Sequence, residues 1–391
     1  MNALNQHHKN HTRHNNDNEN NVVSRIDKLG DDILLLILSK IDSWKLLVQC
    51  RSVSKRWNNI IYQPIFLDLI SLKFFPFTLY VVNRHKTFLI SEHPFFQSQN
   101  PPFDLDFHPF CDHKYKLNVI GSYYDLLIYC SPTQYFRLNK QLYYYFCNPI
   151  TRKYVQIEIP INYNNDGGNL KAIGCTGKLE GISSVKGEGG FKFVRIISRS
   201  YFSNDILQVF SFESGKWSTS RITLKFDLRL TSFHSYNSVT VNNKLHWLLY
   251  DSILVIDPYS NDISRYRLIE LPFPPSLCTL GVCQERLRVA EFAYITGPSF
   301  VTLNVWELAD YNKSTWTIVC MKVITTTIVH PIIYGPLKKR LEVTFHPYDC
   351  DVVYLETETK IVRYNLKSDT FKMVLDEWAV IYPLVNSLVV A

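Results

Sequence analysis

Residues 187–192 read Gly-Glu-Gly-Gly-Phe-Lys, a glycine cluster ending in a cation, and such a combination can cradle a phosphate. The spacing of a P-loop is missing, however. No Ser or Thr follows Lys192, and Glu188 would repel an anion. His246 stands beside Trp247 in an alternating apolar run, where a structural imidazole is expected rather than a ligand. The acid pairs Asp251/Asp257 and Glu356/Glu358 fall at turns, where carboxylates commonly bond the backbone. Neither a G-x-S-x-G elbow nor an H-E-x-x-H helix occurs. His7, His8, His11 and His14 share an Asn-rich stretch over residues 1–24 that has little to bury, so disorder is expected there and a specific metal site is not. No catalytic, cofactor-binding or metal-ligating residue is therefore assigned, and binding chemistry is what remains.

The longest basic cluster is Lys338-Lys339-Arg340, which suits an acidic or phosphorylated determinant through charge-assisted hydrogen bonds. A net charge of +7 over 391 residues is mild, and a nucleic-acid footprint would need a denser stripe. No apolar run approaches the length of a membrane helix, and the polar N-terminus lacks a secretory h-region. The nine cysteines are scattered without a C-x-x-C pair, which suggests reduced, mostly buried thiols and an intracellular home in cytoplasm or nucleus. Hydrophobic content of 46% is enough for a sizeable core, and the length allows a short module plus one large all-β domain.

Residues 29–66 carry more apolar surface than three short helices can bury among themselves. Positions 33–38 are six consecutive apolar residues, so that helix should be hydrophobic on nearly all sides. Asp31 and Asp32 precede it and Lys40 follows it, as the helix dipole favours. Ser43 can cap a second helix over 44–49, and a third carries Val53, Trp57, Ile60 and Ile61 before Pro64 stops it. So small a module is marginal alone. Its surplus apolar face reads as a docking element, the alternative being a helical cap on the following domain.

Beyond residue 72 the pattern turns to short Val-, Ile-, Tyr-, Phe- and Thr-rich runs divided by polar turns, a strand signature. A strand–turn–strand unit recurs at 144–160, 209–222, 254–272, 304–319 and 361–375, each with a companion hairpin upstream at 120–130, 194–201, 238–250, 280–292 and 351–360. Two hairpins make a four-stranded sheet, and radial repetition of such sheets gives a propeller. Five to six or more such units are expected, the sixth within 76–110, where LYVVNRHKTFLI reads as another hairpin. The fold class is thus mainly β with a small N-terminal α module. Trp217, Trp247, Trp306 and Trp316 recur at strand positions and are expected to pack between sheets. Two stretches break the rhythm, 162–190 with eight of the fourteen glycines and 325–348 with the basic trio; both read as loop insertions that could carry recognition.

The segment at 29–66 resembles an F-box at Leu29, Asp31, Asp32, Ile33, Ile37, Leu38, Ile41, Leu46, Leu47, Val53, Lys55, Arg56, Trp57, Ile60, Pro64 and Phe66. Gly30 replaces the family's proline and Ser54 its cysteine. The stretches CNPITRKYVQIEIP, NNKLHWLLYD with LVIDP, LGVCQERL and FHPYDCDVVYLETETKIVRYNL resemble the F-box-associated, kelch-like β domains of plants. The resemblance divides the chain into a tail (1–24), an F-box (25–72) and a β domain (73–391). It implies docking to the Skp-type adaptor of a cullin–RING ubiquitin ligase through Leu29, Gly30, Ile33, Ile37, Leu38, Ile41, Leu46, Leu47, Val53, Trp57 and Ile60. It also implies that the β domain binds a target protein, with Lys338, Lys339 and Arg340 as candidates. A ligase-independent scaffold or glycan-binding propeller is the alternative.

Overall fold

The computed structural model describes residues 26, 28–41, 44–61, 63, 66, 77–82, 87–91, 118–130, 143–148, 153–160, 169–177, 179, 190–198, 205–222, 238–262, 266–274, 277–294, 300–325, 342–356, 360–376 and 380–385. The chain divides into two compact units, Met1–Ile70 and Ser71–Ala391. The tail expected over 1–24, Ser43 and Pro64 lie outside the described residues. The first unit holds α1 (Asp31–Ser39), α2 (Trp44–Cys50) and α3 (Lys55–Ile61).

The second unit is a ring of antiparallel sheets. Five are four-stranded meanders, the blades. The first contains β3 (Asn118–Tyr123), β4 (Leu126–Cys130), β5 (Tyr143–Asn148) and β6 (Lys153–Glu158), and the second β7 (Asn169–Thr176), β8 (Lys192–Ser198), β9 (Asp205–Ser211) and β10 (Lys216–Ile222). The third has β11 (Val239–Val241), β12 (Lys244–Leu248), β13 (Ser252–Ile256) and β14 (Tyr266–Glu270). The fourth has β15 (Leu277–Cys283), β16 (Arg286–Tyr294), β17 (Phe300–Asp310) and β18 (Thr315–Thr325). The fifth has β19 (Glu342–Phe345), β20 (Val352–Glu356), β21 (Ile361–Asn365) and β22 (Thr370–Leu375). The first strand of each blade neighbours the first strand of the next, so these strands line the inside of the ring. The hairpin within 76–110 forms as β1 (Phe77–Val82) and β2 (Thr87–Ser91), and β23 (Val380–Val385) completes a three-stranded closing sheet in the order β2-β1-β23. Two ends of the unit are thereby sewn together, with Tyr80 opposite Tyr382.

Core lies between blades rather than in one central mass. Phe146, Phe191 and Phe193 fill the first interface in edge-to-face contacts, with Phe146 and Phe193 centroids 5.1 Å apart. Trp247 fills the second beside Val194 and Leu207, and Val289 and Leu308 fill the third. Val305, Phe345 and Tyr364 fill the fourth, and Tyr354 with Ile381 joins the fifth blade to the closing sheet. Burial on both faces explains why the central strands read as nearly continuous apolar runs.

Two stretches read as insertions contain blade strands. The 162–190 stretch holds β7, and 325–348 begins on the last residue of β18 and holds β19. The companion segments at 194–201 and 351–360 supply only one strand each, β8 and β20, whose partners lie in those stretches. Glycine masked the first. A Cβ on Gly174 would stand 2.3 Å from Ser238 Oγ and 3.0 Å from the Trp247 ring, so that residue permits close approach of two blades. Gly281 serves the same purpose in β15, where a Cβ would meet Phe345 at 2.3 Å.

Candidate functional site

Gly30 caps α1 in an extended conformation (φ −62°, ψ 156°), and its carbonyl accepts the Leu34 N–H at 3.0 Å. Asp31 and Asp32 occupy the first turn, where unpaired N–H groups favour negative charge. Arg56 of α3 reaches back to this entry: its guanidinium donates to the Asp31 carboxylate at 2.7 Å and to the Leu29 carbonyl. Ser54, in the place of the family cysteine, accepts the Trp57 N–H at 3.1 Å and so caps α3. Because the cap sits at 54, Val53 lies in the preceding turn and not within the third helix.

Two apolar stripes run along α1. Leu34 and Leu38 face inward and are buried, as are Leu47, Ile60, Ile61 and Phe66 of the same unit. Ile33, Leu36 and Ile37 form the second stripe, at the i, i+3, i+4 spacing of one helix face, and point outward. Ile33 is 51%, Ile37 46%, Leu46 52% and Val53 60% exposed. Among the eleven residues expected at the docking face, these four and Gly30 are exposed, while Leu29, Ile41 and Trp57 are partly buried. Leu38, Leu47 and Ile60 lie inside instead, because a three-helix unit needs one apolar stripe for its own core before a second can be offered outward. Leu36 was missed, although its spacing from Ile33 places it on the same face.

Lys338, Lys339 and Arg340 lie outside the described residues. Of the four tryptophans, Trp247 is fully buried and donates to the Ile173 carbonyl at 2.9 Å. Trp217 and Trp316 occupy equivalent positions, second in the outermost strand of a blade. Each donates its indole N–H to the last residue of the preceding blade, Trp217 to Glu158 at 3.0 Å and Trp316 to Glu270 at 2.9 Å. Trp306 lies near the buried Glu291 carboxylate at 3.4 Å. Trp217, Trp247 and Trp316 thus fasten blades to one another, as expected, whereas the Trp306 bond joins two strands of the fourth blade.

Polar groups inside the ring are tied both within and across blades. Arg195 donates to Gln208 at 2.6 Å and to the Tyr144 hydroxyl at 3.3 Å, with its guanidinium 4.9 Å over the Trp217 ring. His246 is fully buried between the Tyr311 hydroxyl, at 2.8 Å from Nε2, and the Val239 carbonyl. Burial lowers its pKa to about 4, so the ring is neutral and committed to structure. Burial of Glu307 favours its neutral form, but donors from Arg286 and Arg288 outweigh that and lower its pKa. Among the described residues no three His, Cys, Asp or Glu side chains gather as a metal site, and no helix is long and apolar enough to cross a membrane.

The site geometry is therefore an outward apolar stripe on a helical unit, in a chain that also carries a repeat-built ring. A family model described as F-box protein At3g26010-like, beta-propeller, matches residues 112–386. The chain belongs to this family. A second model, the F-box domain, matches residues 26–69 and spans all three helices of this plant F-box protein. The F-box protein is 27% identical over 183 residues to "F-box protein At5g49610" of Arabidopsis thaliana, covering 45% of this chain and 49% of the relative. It is 34% identical over 84 residues to "Putative F-box protein At5g38810" of the same plant, covering 21% of this chain and 30% of that one. The chain thus spans at most about half the length of these curated relatives. Among solved structures it is similar to an oligogalacturonate lyase from Vibrio parahaemolyticus, with TM-score 0.33 and 12% identity over 77% of this chain and 85% of that one. A prolyl endopeptidase structure is similar at TM-score 0.32 and 10% identity, over 77% and 45% of the two chains.

Proposed function

We propose that this F-box protein is a non-catalytic substrate receptor of an SCF-type ubiquitin ligase, working in cytoplasm or nucleus. The helical unit docks to a Skp-type adaptor, and through it to cullin and RING subunits, while the propeller holds a target protein. One observation carries the reading: Ile33, Leu36, Ile37, Leu46 and Val53 stay exposed on a helical unit that already buries Leu34, Leu38, Leu47, Ile60, Ile61 and Phe66. Apolar side chains gathered on so small a surface fit a protein interface. Such a receptor acts by proximity, raising the local concentration of target lysines near the conjugating enzyme, and needs no nucleophile or base of its own.

Adaptor pull-down with the full chain tests this. Ile33→Asp combined with Ile37→Asp should abolish capture while circular dichroism of the β unit stays unchanged. Capture that survives both substitutions would remove the helical face from the interface. Stabilisation of the captured partners when the cullin is blocked separates a ligase receptor from a scaffold.

A further inference from the structure

Cys283 is the last residue of β15 in the fourth blade, and Cys350 lies in the loop between β19 and β20 of the fifth. Their sulfurs stand 2.7 Å apart, and no other pair of described cysteines brings its sulfurs within hydrogen-bonding reach. The two segments are held together from several sides. The Gln284 N–H donates to the Pro347 carbonyl at 2.8 Å, and its side-chain amide donates to the Tyr348 carbonyl at 2.9 Å. Arg288 donates to the Cys350 carbonyl at 2.8 Å while its other nitrogens grip Glu307. A disulfide needs the sulfurs about 2.05 Å apart, so a closing movement of less than about 1 Å suffices. The surrounding hydrogen bonds already hold the backbone in register for it.

We propose that Cys283 and Cys350 are a reversible redox site, forming an inter-blade disulfide in the presence of a peroxide. Cys350 is partly exposed whereas Cys283 is buried, so oxidant reaches Cys350 first. Burial and the adjoining sulfur push the Cys283 thiol up, with Arg288 pulling the other way, so Cys283 is protonated at rest and reacts only in the second step, giving up its proton to the leaving hydroxide. In the first step the Cys350 thiolate attacks one peroxide oxygen. The O–O bond breaks, Cys350 becomes a sulfenic acid, and hydroxide leaves as water with the proton released by Cys350. In the second, the Cys283 sulfur attacks the sulfenic sulfur, the S–S bond forms, the S–O bond breaks, and a second water leaves with the Cys283 proton. Two thiols and one hydrogen peroxide thus give one disulfide and two waters, the sulfurs supplying both electrons. A dithiol reductant reverses the change.

The bond would fasten the Gln284–Glu285 turn to the 346–351 loop. Scattered cysteines usually signal inert thiols, and this pair is the exception because two blades bring residues 67 apart in sequence into contact.

Titration of the reduced full-length chain with stoichiometric hydrogen peroxide, read by intact mass and a non-reducing digest, tests the proposal. The expected result is a loss of two hydrogens and one linked peptide pair containing Cys283 and Cys350, both abolished by dithiothreitol. Cys350→Ser should remove the linkage, and Cys283→Ala should leave a sulfenic acid at Cys350 that a dimedone probe captures. Both variants are checked for native circular dichroism, and the wild-type result stands alone if either misfolds. The proposal is overturned if both thiols are still alkylated when wild-type protein is treated with peroxide in the folded state and then denatured, or if the linkage joins other cysteines.

Discussion

At Gly30 the backbone angle of −62° is close to the value a pyrrolidine ring imposes, and a Cβ built there meets nothing within 4 Å. Gly30→Pro should therefore restrict the unfolded chain without straining the folded one, stabilising the helical unit by about 0.5–1 kcal/mol. Calorimetric titration with the adaptor should show a few-fold tighter constant; weaker binding would mean that Leu29 cannot take the extended conformation a following proline requires. The two stripes of α1 make opposite predictions. Leu38→Asp places a charge at a fully buried position and should melt the helical unit, whereas Ile37→Asp on the exposed stripe should leave its helicity intact. Loss of helicity in both would show that the outward stripe is structural. The apolar excess of 33–38 was legible in the sequence, but which residues face inward was not. That depends on where α2 and α3 pack, and a run apolar on every side carries no phase.

Blade elements were read well where both strands of a hairpin alternate and poorly where one strand is interrupted. β7 carries Gly174 and is flanked by further glycines, so its composition imitates a loop although its neighbours are blades. β19 has only four residues and precedes a His-Pro turn, too short for its alternation to register. Gly174→Ala should cost about 1–3 kcal/mol through overpacking against Ser238 and Trp247. A chemical melt checks this, and an unchanged midpoint would mean that the two blades part freely. In β12, His246 titrates near 4 when folded and near 6.5 otherwise. Between those values the unfolded chain holds the extra proton. Its stabilisation is therefore complete above pH 6.5 and lost as pH falls toward 4, by roughly 3 kcal/mol at the limit. His246→Gln should flatten that part of the stability–pH curve relative to wild type, and parallel curves for the two proteins would contradict the assignment.

For the whole molecule, the decisive pairing is β1 with β23, which no repeat reading locates because the partners stand about 300 residues apart in sequence. A chain ending at residue 379 would keep five blades but lose the Ile381 N–H donation to the buried Glu356 carboxylate and bare one edge of β1. Its melting temperature should fall and light scattering should rise on warming; a melt identical to wild type would show that the ring does not depend on its seam. That seam also sets an order of events during synthesis. The helical unit ends by residue 70, whereas β23 follows β1 by about 300 residues. At about 5–20 residues per second, roughly 15–60 s separates completion of β1 from the arrival of its partner. Late in that interval the helical unit is already made while the arc of blades is still open. Under the proposed function, a nascent chain could thus engage an adaptor well before it can present a closed ring to a target.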